Sequence, residues 1–171
     1  MLNEKKLRKI EQEKTKSEII VTRFISESGG WLASQSTKRD DFDGVDIVAI
    51  NPKTNKQITI DVKNSNDKNR NSPNFLFTTV NGLGKPYTTK RTDYVAFLNR
   101  PESFGPHKVE IVFIEFNKLT EIIETNNKIK YLPSKEYKLG RYVLIPKYLV
   151  RNATPHHHFY EQYNVNTYTY E

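Results

Sequence analysis

Asp46, Asp61 and Lys63 are the residues of this sequence whose types and spacing best suit chemistry. Lys63 follows Asp61 at a spacing of two, the period at which side chains share one face of a β-strand. Carboxylate oxygens are hard ligands that suit Mg²⁺ or Mn²⁺, and a neighbouring lysine can hold or deprotonate a water. Together these three side chains would form a metal-assisted hydrolytic site.

Two β-rich segments, residues 44–50 and 57–63, are predicted to form the hairpin that positions these side chains. The residues between them, 51–56, are dense in turn formers. If the strands pair up to this turn, Asp46 lies opposite Asp61 and the apolar residues share the other face. A shift of one residue would send an aspartate into the core, so the pattern selects this register or one shifted by an even number.

Two carboxylates directly opposed across a hairpin repel each other. A sequence selected only for stability would not place them there, and a divalent cation between them would remove the repulsion. The alternative interpretation is a solvated hairpin face on which Lys63 pairs with one of the aspartates. The tripeptide Asp61-Val62-Lys63 alone favours that alternative, whereas the opposed Asp46 and the apolar reverse face favour a metal site.

A family resemblance follows from these residues. The segment Asp43-Gly44-Val45-Asp46, a turn, and then Asp61-Val62-Lys63 resembles the core motif of the PD-(D/E)xK nuclease superfamily, which includes restriction endonucleases and archaeal-type Holliday junction resolvases. The similarity covers roughly residues 14–99, and residues 92–97 resemble the family's strand after the active site. Glu18 matches the glutamate of the family's first helix. Gly44 and Val45, in place of proline, precede Asp46, which is a departure from the name-giving motif.

The resemblance implies an α/β fold of the restriction-endonuclease-like type, with a central mixed β-sheet flanked by helices. It implies Glu18, Asp46, Asp61 and Lys63 as the catalytic residues. The metal, Mg²⁺ or Mn²⁺, would be held by Asp46, Asp61 and the carbonyl of Val62, with Glu18 bound directly or through water. Lys63 would orient or activate the nucleophile. The implied activity is a magnesium-dependent endonuclease that hydrolyses DNA phosphodiester bonds.

Other functions stay open at this stage. One alternative is a non-catalytic nucleic-acid-binding protein on the same fold, such as a regulator or an anti-defence factor. Another is a protein-interaction module. The complete set of four site residues favours an enzyme over both. Among nucleases, structure-specific (resolvase-like), restriction-type and homing-type roles remain open, because base-reading residues cannot be recognised from one sequence.

The partner predicted for this chain is DNA, duplex or branched. The formal net charge is +7, which favours polyanionic partners. Basic and aromatic residues interleave in Lys85, Tyr87, Lys90 and Arg91, which is typical of a loop that binds phosphates, although a solvated loop is the equal alternative. A run of histidines at residues 156–158 is expected to be surface or a phosphate contact.

A homodimer is also expected, because cutting both strands or a four-way junction requires two active sites. Four aromatic residues are candidates for its interface, with at least half of them expected in the core instead: Phe75, Phe77, Tyr87 and Phe104.

The chain is predicted to be one nuclease domain, residues 1–171, with its core at about 14–150. Residues 1–13 are predicted as a charged helical extension and residues 152–171 as a polar aromatic tail. The first helix is predicted at 2–28, where one side collects Ile10, Ser17, Ile20, Val21, Phe24 and Ile25. Strands are predicted at 31–36, 93–98, 109–114 and 142–146 and a helix at 118–125, and 75–80 suits either a strand or a helix.

The chain has no cysteine, so disulfides and thiolate metal sites are excluded. The first residues lack the apolar segment of a secretory signal, and no stretch has the length of a membrane span. We therefore expect a cytoplasmic protein with no membrane partner.

Overall fold

A computed structural model describes residues 4–36, 44–64, 70–135 and 137–161, with the side chains of residues 6–15 outside this description. The described helices are α1 (Glu4–Glu27), α2 (Phe116–Thr125) and α3 (Lys147–Asn152). Short 3₁₀ turns lie at Tyr87–Thr89 and Glu102–Phe104. The described strands are β1 (Leu32–Gln35), β2 (Ile47–Asn51), β3 (Lys56–Asn64), β4 (Asn74–Val80), β5 (Tyr94–Asn99), β6 (Lys108–Glu115), β7 (Lys130–Pro133), β8 (Arg141–Pro146) and β9 (His157–Glu161).

Helix α1 follows from a segment rich in glutamate, lysine and leucine without glycine or proline. It ends before Gly29 and Gly30, whose φ angles of +78° and +83° suit glycine. Its buried side carries Ser17, Ile20, Val21 and Ile25, with Phe24 packed beside them. These residues confirm the predicted apolar stripe, and the side chain of Ile10 lies outside the described residues.

The hairpin of β2 and β3 has the predicted register, since Ile47 pairs with Ile60 and Ala49 with Ile58. Its turn needs one left-handed residue, and Asn55 takes that conformation with a φ of 58°. Because side chains alternate along a strand, Ile60 and Val62 face one side of β3 while Asp61 and Lys63 face the other.

Six strands form a mixed sheet in the order β1-β2-β3-β5-β6-β9. β3 and β5 are parallel, and the other neighbouring pairs are antiparallel. A parallel pair requires a crossover connection, and here the crossover contains β4 and the first 3₁₀ turn. β4 belongs to a second, three-stranded sheet of order β4-β8-β7.

Two hydrophobic cores lie on opposite faces of the six-stranded sheet. On one face, Ala96 and Leu98 pack with Ile60 and Val62 against α1. On the other, Val95 and Phe97 pack against the three-stranded sheet and α2. The α/β class with a mixed sheet is confirmed. The expectation that helices flank the sheet holds for the α1 face, whereas the second face is covered largely by β-structure.

The structure adds a strand to the predicted tail and places two of the four aromatic candidates in the core, as expected for at least half of them. Residues 157–161 of the predicted tail form β9, which pairs with β6. Phe75 and Phe77 are 2% and 0% exposed and belong to the second core, so they are not interface residues. Tyr87 and Phe104 are half-buried.

The histidine run lies in and beside β9, where the ring of His158 packs 5.0 Å from that of Phe24. Among the residues that the structure describes, none of the helices combines the length and the apolar character needed to cross a membrane.

Candidate active site

Asp46 lies directly before β2, where the regular pairing with β3 ends at Ile47 and Ile60. Its backbone N–H donates to the carbonyl of Ile60 at 2.9 Å, and its Oδ2 accepts the N–H of Val62 at 2.7 Å. Asp46 therefore departs from the ladder that would set it squarely opposite Asp61. Its carboxylate instead accepts the hydrogen bond from β3 that a backbone carbonyl would accept in a regular ladder.

The Val62 carbonyl lies on the same side of β3 as this bond. In a strand the N–H and C=O of one residue point to the same neighbour, and the Val62 N–H points to Asp46. The carbonyl oxygen is therefore directed towards the Asp46 edge, which is the side that the metal-ligand prediction requires.

Asp61 is held by two lysines. The Nζ of Lys63 lies 3.1 Å from Oδ1, and the Nζ of Lys90 lies 2.6 Å from Oδ2. Asp46 and Asp61 are only 4% and 2% exposed, so the face is not solvated, although Lys63 does pair with Asp61 as the alternative interpretation expected. Burial raises the pKa of Asp61, but the charges of Lys63 and Lys90 outweigh burial and hold the pKa below its usual value of 3.8.

The two lysines differ in how strongly they keep their protons. Burial lowers the pKa of Lys63, but the carboxylates of Asp61 and Asp46 outweigh burial and hold the pKa above its usual 10.5. Burial and the nearby charge of Lys63 lower the pKa of Lys90 to about 8. Lys63 is therefore a lasting positive charge at neutral pH, which suits orienting a water or a phosphate better than removing a proton.

Both lysines line a cleft of about 230 Å³. Three of the four residues predicted to bind phosphates, Lys85, Tyr87 and Lys90, line it, whereas Arg91 does not. The hydroxyl of Tyr87 contacts Glu124 at 3.2 Å. Burial and then this contact raise the pKa of Tyr87 to about 12. The remaining lining residues are Gly44, Lys63, Thr78, Asn81, Pro86 and Thr89.

Glu18 lies on the α1 side of the sheet, opposite the face that carries Asp61. Its Oε2 accepts a hydrogen bond from the amide of Gln35 at 3.4 Å. Gln35 pairs with Ile47, the residue after Asp46, so Glu18 lies at the same end of the sheet as Asp46. Within the described ranges, no group of three histidine, cysteine or acidic side chains is close enough to hold a metal. The structure therefore does not bring Glu18 into one cluster with the two aspartates.

The donor set nevertheless fits a divalent cation. Two buried carboxylates and a backbone carbonyl are oxygen ligands of the kind that Mg²⁺ and Mn²⁺ prefer. The side chains of Asp46 and Asp61 are near enough to interact directly. Both oxygens of Asp61 already contact ammonium groups, which shows that this position favours cations.

Sequence reasoning missed the ion pair between Lys90 and Asp61 and the close approach of Gly44 to Lys90. A Cβ on Gly44 would lie 2.9 Å from Cγ of Lys90, and the φ of Gly44 is +79°. The departure from the family motif before Asp46, where Gly44 and Val45 stand in place of proline, was the one available signal. Asp43, the first residue of the motif, lies outside the described residues.

No family model matches this chain, and no match to it was found among the curated proteins or the solved structures. The resemblance to the PD-(D/E)xK nucleases therefore depends on the motif alone.

Proposed function

We propose that this protein is a divalent-cation-dependent endonuclease that hydrolyses DNA phosphodiester bonds. The observation that carries the proposal is the pair of buried aspartates at the end of the hairpin. Lys63 lies beside Asp61 on the same face of β3, and with Lys85 and Lys90 it lines the cleft. Burying two carboxylates is costly unless cations compensate them, so this arrangement suits a site that exchanges cations.

Each group at the site would have a separate role in the proposed reaction. Asp46, Asp61 and the Val62 carbonyl would hold Mg²⁺ or Mn²⁺, which would lower the pKa of a bound water and stabilise the charge on the phosphate. Lys63 would orient the water or a phosphate oxygen from the strand face. Lys85, which is exposed and also lines the cleft, would bind a neighbouring backbone phosphate. Glu18 would act at most through a water.

The test is a cleavage panel with purified protein in Mg²⁺ or Mn²⁺. Its substrates are linear duplex, nicked duplex, flap, four-way junction, single-stranded DNA and RNA. We expect cleavage of duplex or branched DNA that EDTA stops and that Asp61→Asn reduces. Asp93→Asn is the matched control, because Asp93 is an exposed aspartate that contacts Thr59 rather than the cleft. Cleavage of RNA alone would overturn the DNA assignment.

A second candidate is a nucleic-acid-binding protein without catalysis. It is favoured by the charge balance at Asp61, whose two oxygens are both neutralised by lysines. Binding of DNA at low salt without cleavage in any of the metals would support it. Symmetric cuts in both strands or in a junction would further support the expected homodimer, and sedimentation of the active protein would measure that assembly.

A further inference from the structure

Asp61 has a second cation partner that the motif does not include. The motif supplies Lys63, which lies on the same strand, whereas Lys90 follows the 3₁₀ turn Tyr87–Thr89 and reaches the other carboxylate oxygen at 2.6 Å. The formal charges of the two lysines balance those of Asp46 and Asp61. The cluster is therefore neutral before any metal binds, which removes the repulsion between two buried carboxylates.

Neighbouring residues pack closely around the Lys90 side chain. Gly44 lies against the Lys90 side chain, where any larger residue would collide with Cγ. The ring of Phe77 lies beneath the ammonium group, with 5.3 Å between Nζ and the ring centroid. The Lys90 N–H donates to the carbonyl of Tyr87 at 2.9 Å, which fixes the start of the side chain. Lys90 also lines the cleft, so its ammonium has space to move into.

We infer that Lys90 holds the cation position on Asp61 in the metal-free protein and leaves it when a divalent cation binds. The inference rests on the proposed function. A metal ion and an ammonium group repel each other on the same carboxylate oxygen, so one of them must move. Lys90 is the one that moves, because it extends from a loop beside the cleft while Lys63 is fixed in the sheet. Its displaced ammonium would then bind the phosphate that enters the cleft.

The test measures Mn²⁺ affinity by calorimetric titration of the full chain. We expect Lys90→Met to bind Mn²⁺ about tenfold more tightly than wild type, the gain expected if the metal-competent state is about one-tenth populated. Lys85→Met is the matched control, since it removes the same charge from the same cleft at a residue that does not hold Asp61. It should stay within about threefold of wild type, because exposed charges are screened. Lys90→Arg, which keeps the charge, should resemble wild type.

A second measurement, of DNA binding, distinguishes the inferred role of Lys90 from a general loss of protein stability in the variant. With Ca²⁺ as the metal, Lys90→Met should bind a duplex oligonucleotide more weakly than wild type despite its tighter metal binding. Thermal melting of each variant identifies any that fails to fold, in which case Lys90→Gln replaces Lys90→Met. Equal Mn²⁺ affinity in Lys90→Met and wild type, or an equal gain in Lys85→Met, would overturn the inference while leaving the metal site intact. If neither wild type nor Lys90→Met binds Mn²⁺, both the proposed metal site and this inference are wrong.

Discussion

Two clusters of buried carboxylates and cationic side chains lie on the same face of the six-stranded sheet. The lysine cluster consists of Asp46, Asp61, Lys63 and Lys90. The arginine cluster, at the far end of β5 and β6, consists of Asn99, Glu110, Lys147 and Arg151. Their carboxylates are equally inaccessible, with Asp61 2% exposed and Glu110 3% exposed.

The two clusters hold their carboxylates by different chemistry. Arg151 donates hydrogen bonds to both carboxylate oxygens of Glu110, from Nε at 3.0 Å and from Nη2 at 2.5 Å. Asn99 donates to Glu110 at 3.0 Å and accepts from Lys147 at 2.7 Å, which links Lys147 to the same carboxylate. Asp61 is held instead by single contacts from two lysines. A guanidinium fork fixes a carboxylate in one geometry, whereas an ammonium is a point charge that rotates and moves away.

An aromatic wall separates the two clusters. Phe75 stacks on Phe97 with ring centroids 4.6 Å apart, and Phe77 lies beside them. The ammonium of Lys147 lies 5.4 Å from the Phe75 centroid, on the side of the arginine cluster. Those of Lys63 and Lys90 lie over Phe77. We therefore propose that the arginine cluster serves stability and that the lysine cluster, whose two lysines line the cleft, exchanges cations.

The largest expected difference between the clusters is in catalysis. Lys63→Met should reduce the cleavage rate by roughly 10² to 10⁴-fold, the usual contribution of a group that orients or activates the nucleophile. Lys63→Met should also lower the melting temperature, because the two buried carboxylates are then left with Lys90 as their compensating cation. The cleavage rate is therefore compared per folded molecule, well below the melting temperature. Single-turnover cleavage and thermal melting measure the two effects. A Lys63→Met protein that cuts at the wild-type rate would show that the lysine cluster is not the active site.

The arginine cluster should respond in the opposite way. Glu110→Gln removes the carboxylate that pairs with the half-buried Arg151 and lies near the buried Lys147, so the free energy of unfolding should fall by about 2 kcal/mol. The cleavage rate per folded molecule should stay unchanged well below the melting temperature. Urea unfolding measures the loss, with Glu115→Gln, an exposed glutamate at the end of the same strand, as the control. Equal unfolding free energies for the two variants would contradict the structural role of Glu110.

Metal should stabilise the protein through the lysine cluster only. At a Mg²⁺ concentration about 100 times the dissociation constant, mass action adds about 2.7 kcal/mol, or roughly 5–10 °C of melting temperature for a chain of this size. Asp46→Asn should blunt this rise, whereas Glu110→Gln should keep it. A melting temperature indifferent to millimolar Mg²⁺ in wild type would count against a metal site.

The smallest effect concerns acid stability. Burial raises the pKa of Glu110, but hydrogen bonds from Arg151 and Asn99 outweigh burial and hold the pKa below its usual 4.5. Because the folded-state pKa is depressed, this contribution to stability is fully present above about pH 4.5 and is lost as the pH falls through the folded-state pKa. The stability gap between wild type and Glu110→Gln should therefore narrow below pH 4.5 in unfolding titrations. A gap independent of pH would contradict this pairing.

The parts of the fold that could be predicted are those with a local signal. Alternating apolar residues fixed the register of the β2–β3 hairpin, and a helical period identified the buried side of α1. The second sheet, β9 and the ion pair from Lys90 to Asp61 depend on residues far apart in the chain, which local periodicity cannot pair. Phe75 and Phe77 lie in the core, as expected for at least half of the four aromatic candidates. Which two are buried could not be predicted, since an aromatic residue suits a core and an interface equally.

The most direct test of the central claim is the initial rate of DNA cleavage as a function of Mn²⁺ concentration, measured in parallel for wild type and Asp61→Asn. We expect a wild-type rate that rises with Mn²⁺ to saturation and vanishes in EDTA. The rate of Asp61→Asn should be at least about 100-fold lower, as expected when a group essential for the transition state is lost. An Asp61→Asn protein that is folded and cuts as fast as wild type, or a wild-type protein that cuts no DNA substrate in any metal, would contradict this claim.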